Sequence, residues 1–305
     1  MNEASDIARL ERWRLNDVIP EDRIAEVVAH PMFSAAARTL STRMLQAAAA
    51  DKALDGMVKD VGRYTATNWA VQLHVSGGLT LPGLKQVCEA SGLVSPGRAR
   101  AILLYLQYLG YVKVAGPAAR NAPTLYTPTP ALMQAWRASM TISLEAASLI
   151  EPAAALILAR LDEPAVLDAF VSIQGEGLSR VASSEAGEAG QAELFTQIFL
   201  HRHGGMQLIH WFVQTDEQAF PPRRTPPISA TALARRLTVS RVHLRRLLNN
   251  AERKGLIGWE DDGCLLILPP LRRMIEWVFA NRLIGFLILA AKTADRVPRS
   301  RSGAL

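Results

Sequence analysis

ISATALARRLTVSRVHLRRLLNNAERKGLI, residues 228–257, holds two helix-forming runs around a short break. The pattern predicts a helix over 232–237, a turn at Thr238 and Val239, and a second helix that Ser240 caps and Gly255 ends. Leu244, Leu247, Leu248 and Ala251 recur at the three- to four-residue spacing of one apolar face. The other face carries Arg241, His243, Arg245, Arg246 and Asn249. Fork-shaped guanidiniums and an amide are the groups that pair with guanine and adenine edges or with phosphate oxygens. Beyond Ile257, Trp259 and the run 264–268 make two short strands around Asp262 and Gly263, a good hairpin turn.

Helix, turn, helix, hairpin, with the order LA..L.VS.....R.L...E..GLI, resembles the winged helix-turn-helix of bacterial transcription regulators such as the MarR-like family. The resemblance covers 228–268, and many regulator families share the pattern. It implies a unit whose second helix lies in the major groove. Ser240, Arg241, His243, Arg245, Arg246 and Asn249 are the implied groove or phosphate contacts.

Residues 63–130 repeat the arrangement. A helix over 64–75 precedes Gly-Gly-Leu-Thr, a second helix covers 81–90, the chain turns at 92–94, and Ser95 caps a helix that ends before Gly110. Strands are expected at 111–114 and 124–127, around the loop 116–122. With an offset of 145 the copies align: Ser95 on Ser240, Arg100 on Arg245, Leu103 on Leu248, and Gly110, Tyr111, Val112 on Gly255, Leu256, Ile257. PTPALMQAW at 128–136 answers PPLRRMIEW at 269–277, and more loosely EDRIAEVVAHPMF at 21–33 answers DEPAVLDAFVSIQ at 162–174.

The expected organisation is therefore mainly α: two winged helix-turn-helix units, each with a small hairpin wing, in an internally duplicated, pseudo-two-fold helical chain. An N-terminal helical extension occupies 1–20, with Ile7, Leu10, Trp13 and Leu15 as anchors. A first half covers 21–160, with its winged helix at about 63–130, and a second covers 162–295, with its winged helix at about 192–270. A basic tail, 296–305, is expected to be disordered, and 183–191 is the best internal loop. One chain then imitates the two-fold dimer that winged-helix regulators use for two half-sites. In the first copy the corresponding contacts are Arg98, Arg100, Ala101 and Tyr105, with Arg120 in the wing; fewer charges mean weaker base reading or mainly backbone contact.

The net charge of +6 is modest, but its distribution is uneven. Residues 80–125 carry an excess of four Lys and Arg, 228–259 of six and 292–305 of three, so the other 213 residues total −7. Positive charge sits on the segments nominated for DNA, as phosphate contact requires. Cys88 and Cys264 are too few for a disulfide framework or a four-cysteine metal site, and the charged N-terminus lacks the apolar core of a signal peptide. A cytoplasmic, nucleoid-associated protein is the expectation. The most apolar segment, 274–291, is interrupted by Glu276, Asn281 and Arg282 and reads as a buried helix or a homodimer seam, not a membrane span.

No chemistry-bearing constellation stands out. GxGxxG after a strand, GxxxxGK[ST], HExxH and GxSxG are all missing, so neither an enzyme nor a cofactor is expected. His201, His203 and His210 lack the i, i+4 spacing of a helical metal pair, and Cys88 reads as a small core residue. Glu260, Asp261 and Asp262 depart from the family pattern, because an acidic wing tip repels phosphate; the wing then points away from DNA or packs on protein. The function expected is a sequence-specific double-stranded DNA-binding transcription regulator. A plasmid-type replication initiator and a winged-helix protein-interaction scaffold are the alternatives, and no residue marks a small-molecule effector pocket.

Overall fold

Short-range chemistry decides where the chain bends. In the computed structural model, which describes residues 3–15, 19–116, 122–183, 193–216 and 219–297, nearly every turn is set by a capping side chain or a proline. Helices α1 (Glu3–Leu10) and α2 (Glu21–Ala29) precede the His30, Pro31 break, and α3 (Phe33–Ala50) follows it. Asp51 accepts from the amides of Ala53 and Leu54 to open α4 (Lys52–Val58), and Asp60 accepts from Arg63 N to open α5 (Val61–Val75). Thr80 caps α6 (Leu81–Ala90) and Ser95 caps α7 (Pro96–Tyr108). A proline starts each of α8 (Pro130–Ser148), α10 (Pro164–Ser183) and α14 (Pro269–Arg296), with the short α9 (Ala155–Arg160) between the first two. A π-helical stretch, Thr196–Leu200, leads to α11 (Gly205–Thr215). Ser229 and Ser240 cap α12 (Ala230–Arg236) and α13 (Arg241–Arg253).

The fold is mainly α with two small antiparallel sheets. In the first, β1 (Leu79–Thr80), β3 (Leu125–Pro128) and β2 (Val112–Val114) lie in that order, with Lys113 opposite Thr127. In the second, β4 (Ile257–Trp259) pairs with β5 (Leu265–Ile267), and Arg224 bridges to Leu266 from the far side. The strand β1, only two residues long, has no counterpart among the sequence expectations.

The same backbone hydrogen bonds recur in both regions. Gly110 N donates to Gln107 O and Tyr111 N to Leu106 O; Gly255 N donates to Glu252 O and Leu256 N to Ala251 O. Thr129 N bonds to Tyr111 O as Leu268 N bonds to Leu256 O. The looser parallel upstream fails locally, because α2 stops at Ala29 while α10 runs unbroken through Gln174.

A small core under the first sheet gathers Trp69, Leu79, Leu84, Cys88, Leu103, Leu106 and Leu132. Burial pushes the Cys88 thiol up to about 11, as suits a core residue. The larger core runs from Leu10 to Val297 and is assembled from both ends of the chain. There α11 packs on α3, and α14 packs on α8, α10 and α2. By length and composition α14 passes for a membrane span, yet Ile275, Phe279, Leu283, Ile284, Leu287 and Ala290 are all buried against protein. Those side chains lie in the chain's own interior. Leu10 and Trp13 anchor the N-terminal extension as expected. Arg120, residues 184–191 of the expected loop and residues 298–305 of the expected tail lie outside the described residues.

His210, on α11, is buried with its Nδ1 3.0 Å from Ser41 Oγ. Burial first, then the nearby Arg282 charge, brings its pKa down to about 3. The unfolded chain therefore takes up a proton near pH 6.5 that the folded chain refuses. Stability is full above that pH and falls as pH drops through the window from 6.5 to about 3. His210→Gln, which keeps a polar partner for Ser41, should flatten the slope of unfolding free energy between pH 6 and 5 by about 1.4 kcal/mol per pH unit, measured by denaturant titration.

Candidate nucleic-acid interface

Helix α13 is held by its apolar face and leaves its polar face bare. Leu244, Leu247, Leu248 and Ala251 are buried, and the Ser240 hydroxyl accepts from His243 N. Arg241, Arg245, Arg246 and Asn249 are exposed. Among the described residues no carboxylate reaches any of the three guanidiniums, although Arg12, Arg23, Arg43, Arg137 and Arg296 are all ion-paired elsewhere. Arg241, Arg245, Arg246 and Asn249 line a shallow hollow of about 220 Å³ together with Val242. Sequence reading missed Val242, which is 59% exposed and is an apolar group of the kind that meets a thymine methyl. It also missed Arg202, which shares a second hollow with Arg246, Asn249 and Arg253 through a tertiary contact no local pattern reveals.

His243 is placed differently from its neighbours. Its Nε2 lies 2.7 Å from His203 O, and since a carbonyl only accepts, Nε2 carries the proton. The ring thus ties α13 to the segment before α11, and Ser240 serves as a helix cap.

The corresponding face of α7 is of another kind. Arg98 donates to Asp60 at 2.7 Å and lies over Gly62, where a Cβ would come within 2.9 Å of its Cζ. Arg63 stacks 4.7 Å over the Tyr105 ring. Arg100 and Ala101 are free at the surface, flanked by exposed Leu104 and Tyr108 and, on the hairpin, Val114 and Leu125. Of the residues nominated there, Arg100 and Ala101 keep an unengaged exposed position.

In the second hairpin Arg224 answers the acidic tip, donating to Asp262 at 2.9 Å and pairing with Glu260 at 3.2 Å. The Cys264 amide, more than Arg224, holds the Asp262 carboxyl below its usual range. Glu260, Asp262 and Cys264 form the only trio of potential metal ligands among the described residues, and Arg224 already bridges it. His210 is engaged with Ser41 and His203 with His243, each in a different place.

The turn between α12 and α13 is clamped from α4. Thr238 is β-branched and has φ +51, a region such residues avoid. Its hydroxyl contacts Asp55 at 3.2 Å and also the Lys59 ammonium, which donates to Asp55 at 2.7 Å and to Leu237 O at 3.0 Å. Lys59 is 3% exposed, and burial draws its pKa below the usual lysine range while Asp55 works against that shift. Asp55→Ala leaves this buried ammonium without its counter-ion and should cost about 3–5 kcal/mol in urea denaturation. Adding Lys59→Met should recover a large part of the loss; no recovery would mean that the pair is not what binds the turn.

Compared with protein families, curated proteins and solved structures, the chain matches none of them.

Proposed function

We propose that the chain is a sequence-specific double-stranded DNA-binding transcription regulator whose reading helix is α13. The observation that carries this reading is the set of unpaired arginines on one exposed helix face, in a protein that ion-pairs many of its other arginines. Unpaired guanidiniums beside Asn249 and Val242 offer phosphate contact, donor forks for guanine, an amide for adenine and a methyl surface for thymine. In this reading the 230–267 unit is a winged helix, with α13 in the major groove and the hairpin, whose three carboxylates Arg224 offsets only in part, pointing away from the backbone.

The 61–128 unit is its degenerate counterpart. With Arg98 held by Asp60, its α7 contributes Arg100 to the backbone and reads few bases or none. The halves 21–160 and 162–295 supply pseudo-two-fold spacing within one chain, in the cytoplasm where its DNA target is. Because α14 is packed internally, no homodimer through 274–291 is needed.

Selection from a pool of random duplexes should enrich one motif with the wild-type chain. Affinity for that motif should fall steeply with salt, by a slope of about −0.9 per phosphate contacted. Arg245→Ala with Arg246→Ala should lose about 1–3 kcal/mol for each arginine that reads a base, and about one unit of salt slope for each that meets a phosphate. Arg137→Ala, which removes one surface charge from α8 and none from α13, should change neither. A motif recovered as a repeated array would favour a replication initiator. No enrichment together with a flat salt response would overturn the reading and leave the exposed Leu104, Tyr108 and Leu125 face as the basis of a protein scaffold.

A further inference from the structure

A cavity of about 450 Å³ opens between α3, α5, α10, α11 and α14. That is the size of a small-molecule site. Its wall is largely apolar, with Met44, Leu45, Ile173, Val278 and Phe286 among the lining, yet Arg282 is set into it. Among the described residues no carboxylate lies within ion-pair reach of this guanidinium. Its Nε is buried with no hydrogen-bond partner, Nη2 donates to Ser143 Oγ at 3.2 Å, and the group sits 5.8 Å over the Tyr64 ring.

Gln207 lines the same cavity and is 4% exposed. Its Nε2 donates to Asp55 at 2.7 Å, and its Oε1 is buried without a partner. The amide cannot gain by flipping, since that would set Oε1 against the Asp55 carboxylate. Asp60, also at the cavity, is already paired with Arg98 and caps α5. Buried polar groups in a folded protein are normally satisfied. Here two residues with unsatisfied buried atoms, the Arg282 Nε donor and the Gln207 Oε1 acceptor, line one apolar volume.

We propose that this cavity binds a hydrophobic monocarboxylic acid, with its carboxylate on Arg282 and its apolar body along α3, α10 and α14. A single planar fork matches one carboxylate, and an apolar lining selects against sugars and nucleotides. The occupied site connects to the turn before α13, because Gln207 bonds Asp55, and Asp55 bonds Thr238 and Lys59. This second step rests on the DNA reading above: the bound acid shifts the α12–α13 turn and with it the affinity for DNA.

The test is calorimetric titration of the full chain with dodecanoate and with 2-naphthoate below any micelle concentration, with dodecanol as the uncharged control. At least one acid should bind saturably at one site, and dodecanol at least 10-fold more weakly than dodecanoate if dodecanoate is the binder. Arg282→Gln should weaken the acid about 10- to 100-fold. Gly285→Leu lies one turn further along α14, where a new Cβ meets nothing within 4 Å; it fills the cavity, leaves the charge in place and should abolish binding. Failure of both acids to bind, tight binding of dodecanol, or binding unmoved in both variants would overturn the site. Binding needs no DNA, so a chain that binds acid but no duplex keeps the site and loses the regulator reading. Duplex affinity unchanged by bound acid would reject only the coupling through Gln207.

Discussion

The Lys59 ammonium is removed from solvent and bonds two separate parts of the chain: Asp55 one turn back, and the α12–α13 turn through the Leu237 carbonyl and the Thr238 hydroxyl. A desolvated cation accepts only well-placed acceptors, so the position of the α12–α13 turn follows from that of α4. Thr238 tolerates its left-handed backbone because those bonds hold it there. Gly204 completes the clamp: its amide bonds Lys59 O, and a Cβ would meet Val239 Cγ1 at 2.7 Å. The exposed arginines of α13 are thereby presented from a fixed base, as the proposed reading surface needs.

The two helix–turn–helix–hairpin regions share backbone bonds and differ in side-chain economy. On α13 the guanidiniums face outward without partners, while on α7 Asp60 takes Arg98, and Arg63 covers Tyr105. A carboxylate that caps α5 thus also neutralises the first charge of α7. The face that remains is apolar around Leu104 and Tyr108. Similar backbones therefore carry different surface chemistry, and the difference is set by Asp60, just outside the repeated segment, and by Arg63 at its start.

What the sequence made legible was local. Ser95, Ser240, Gly110 and Gly255 mark helix ends by chemistry that acts within four residues, and the structure places caps and left-handed turns at those positions. The periodic spacing of Leu244, Leu247, Leu248 and Ala251 likewise named a buried face without knowing what buries it. Partners distant in sequence were not legible. Arg98 meets Asp60 across 38 residues and His243 meets His203 across 40, so both looked like free contacts. Arg282 registered only as an interruption in an apolar run, because its unpaired state depends on four other helices around it. The strand β1 has two residues and no periodicity to detect.

The larger core has a consequence for how such a chain can change over generations. Since α11 packs on α3, and α14 on α8 and α2, the two halves of the proposed duplication supply parts of each other's interior. A repeat whose copies are self-contained can be gained, lost or traded between genes as a unit. Interlocked copies cannot, because a recombinant carrying one half would expose faces such as those of Phe279 and Leu283. On the proposed duplication the surfaces are free to diverge, and those of α7 and α13 do differ, while the interiors must vary together.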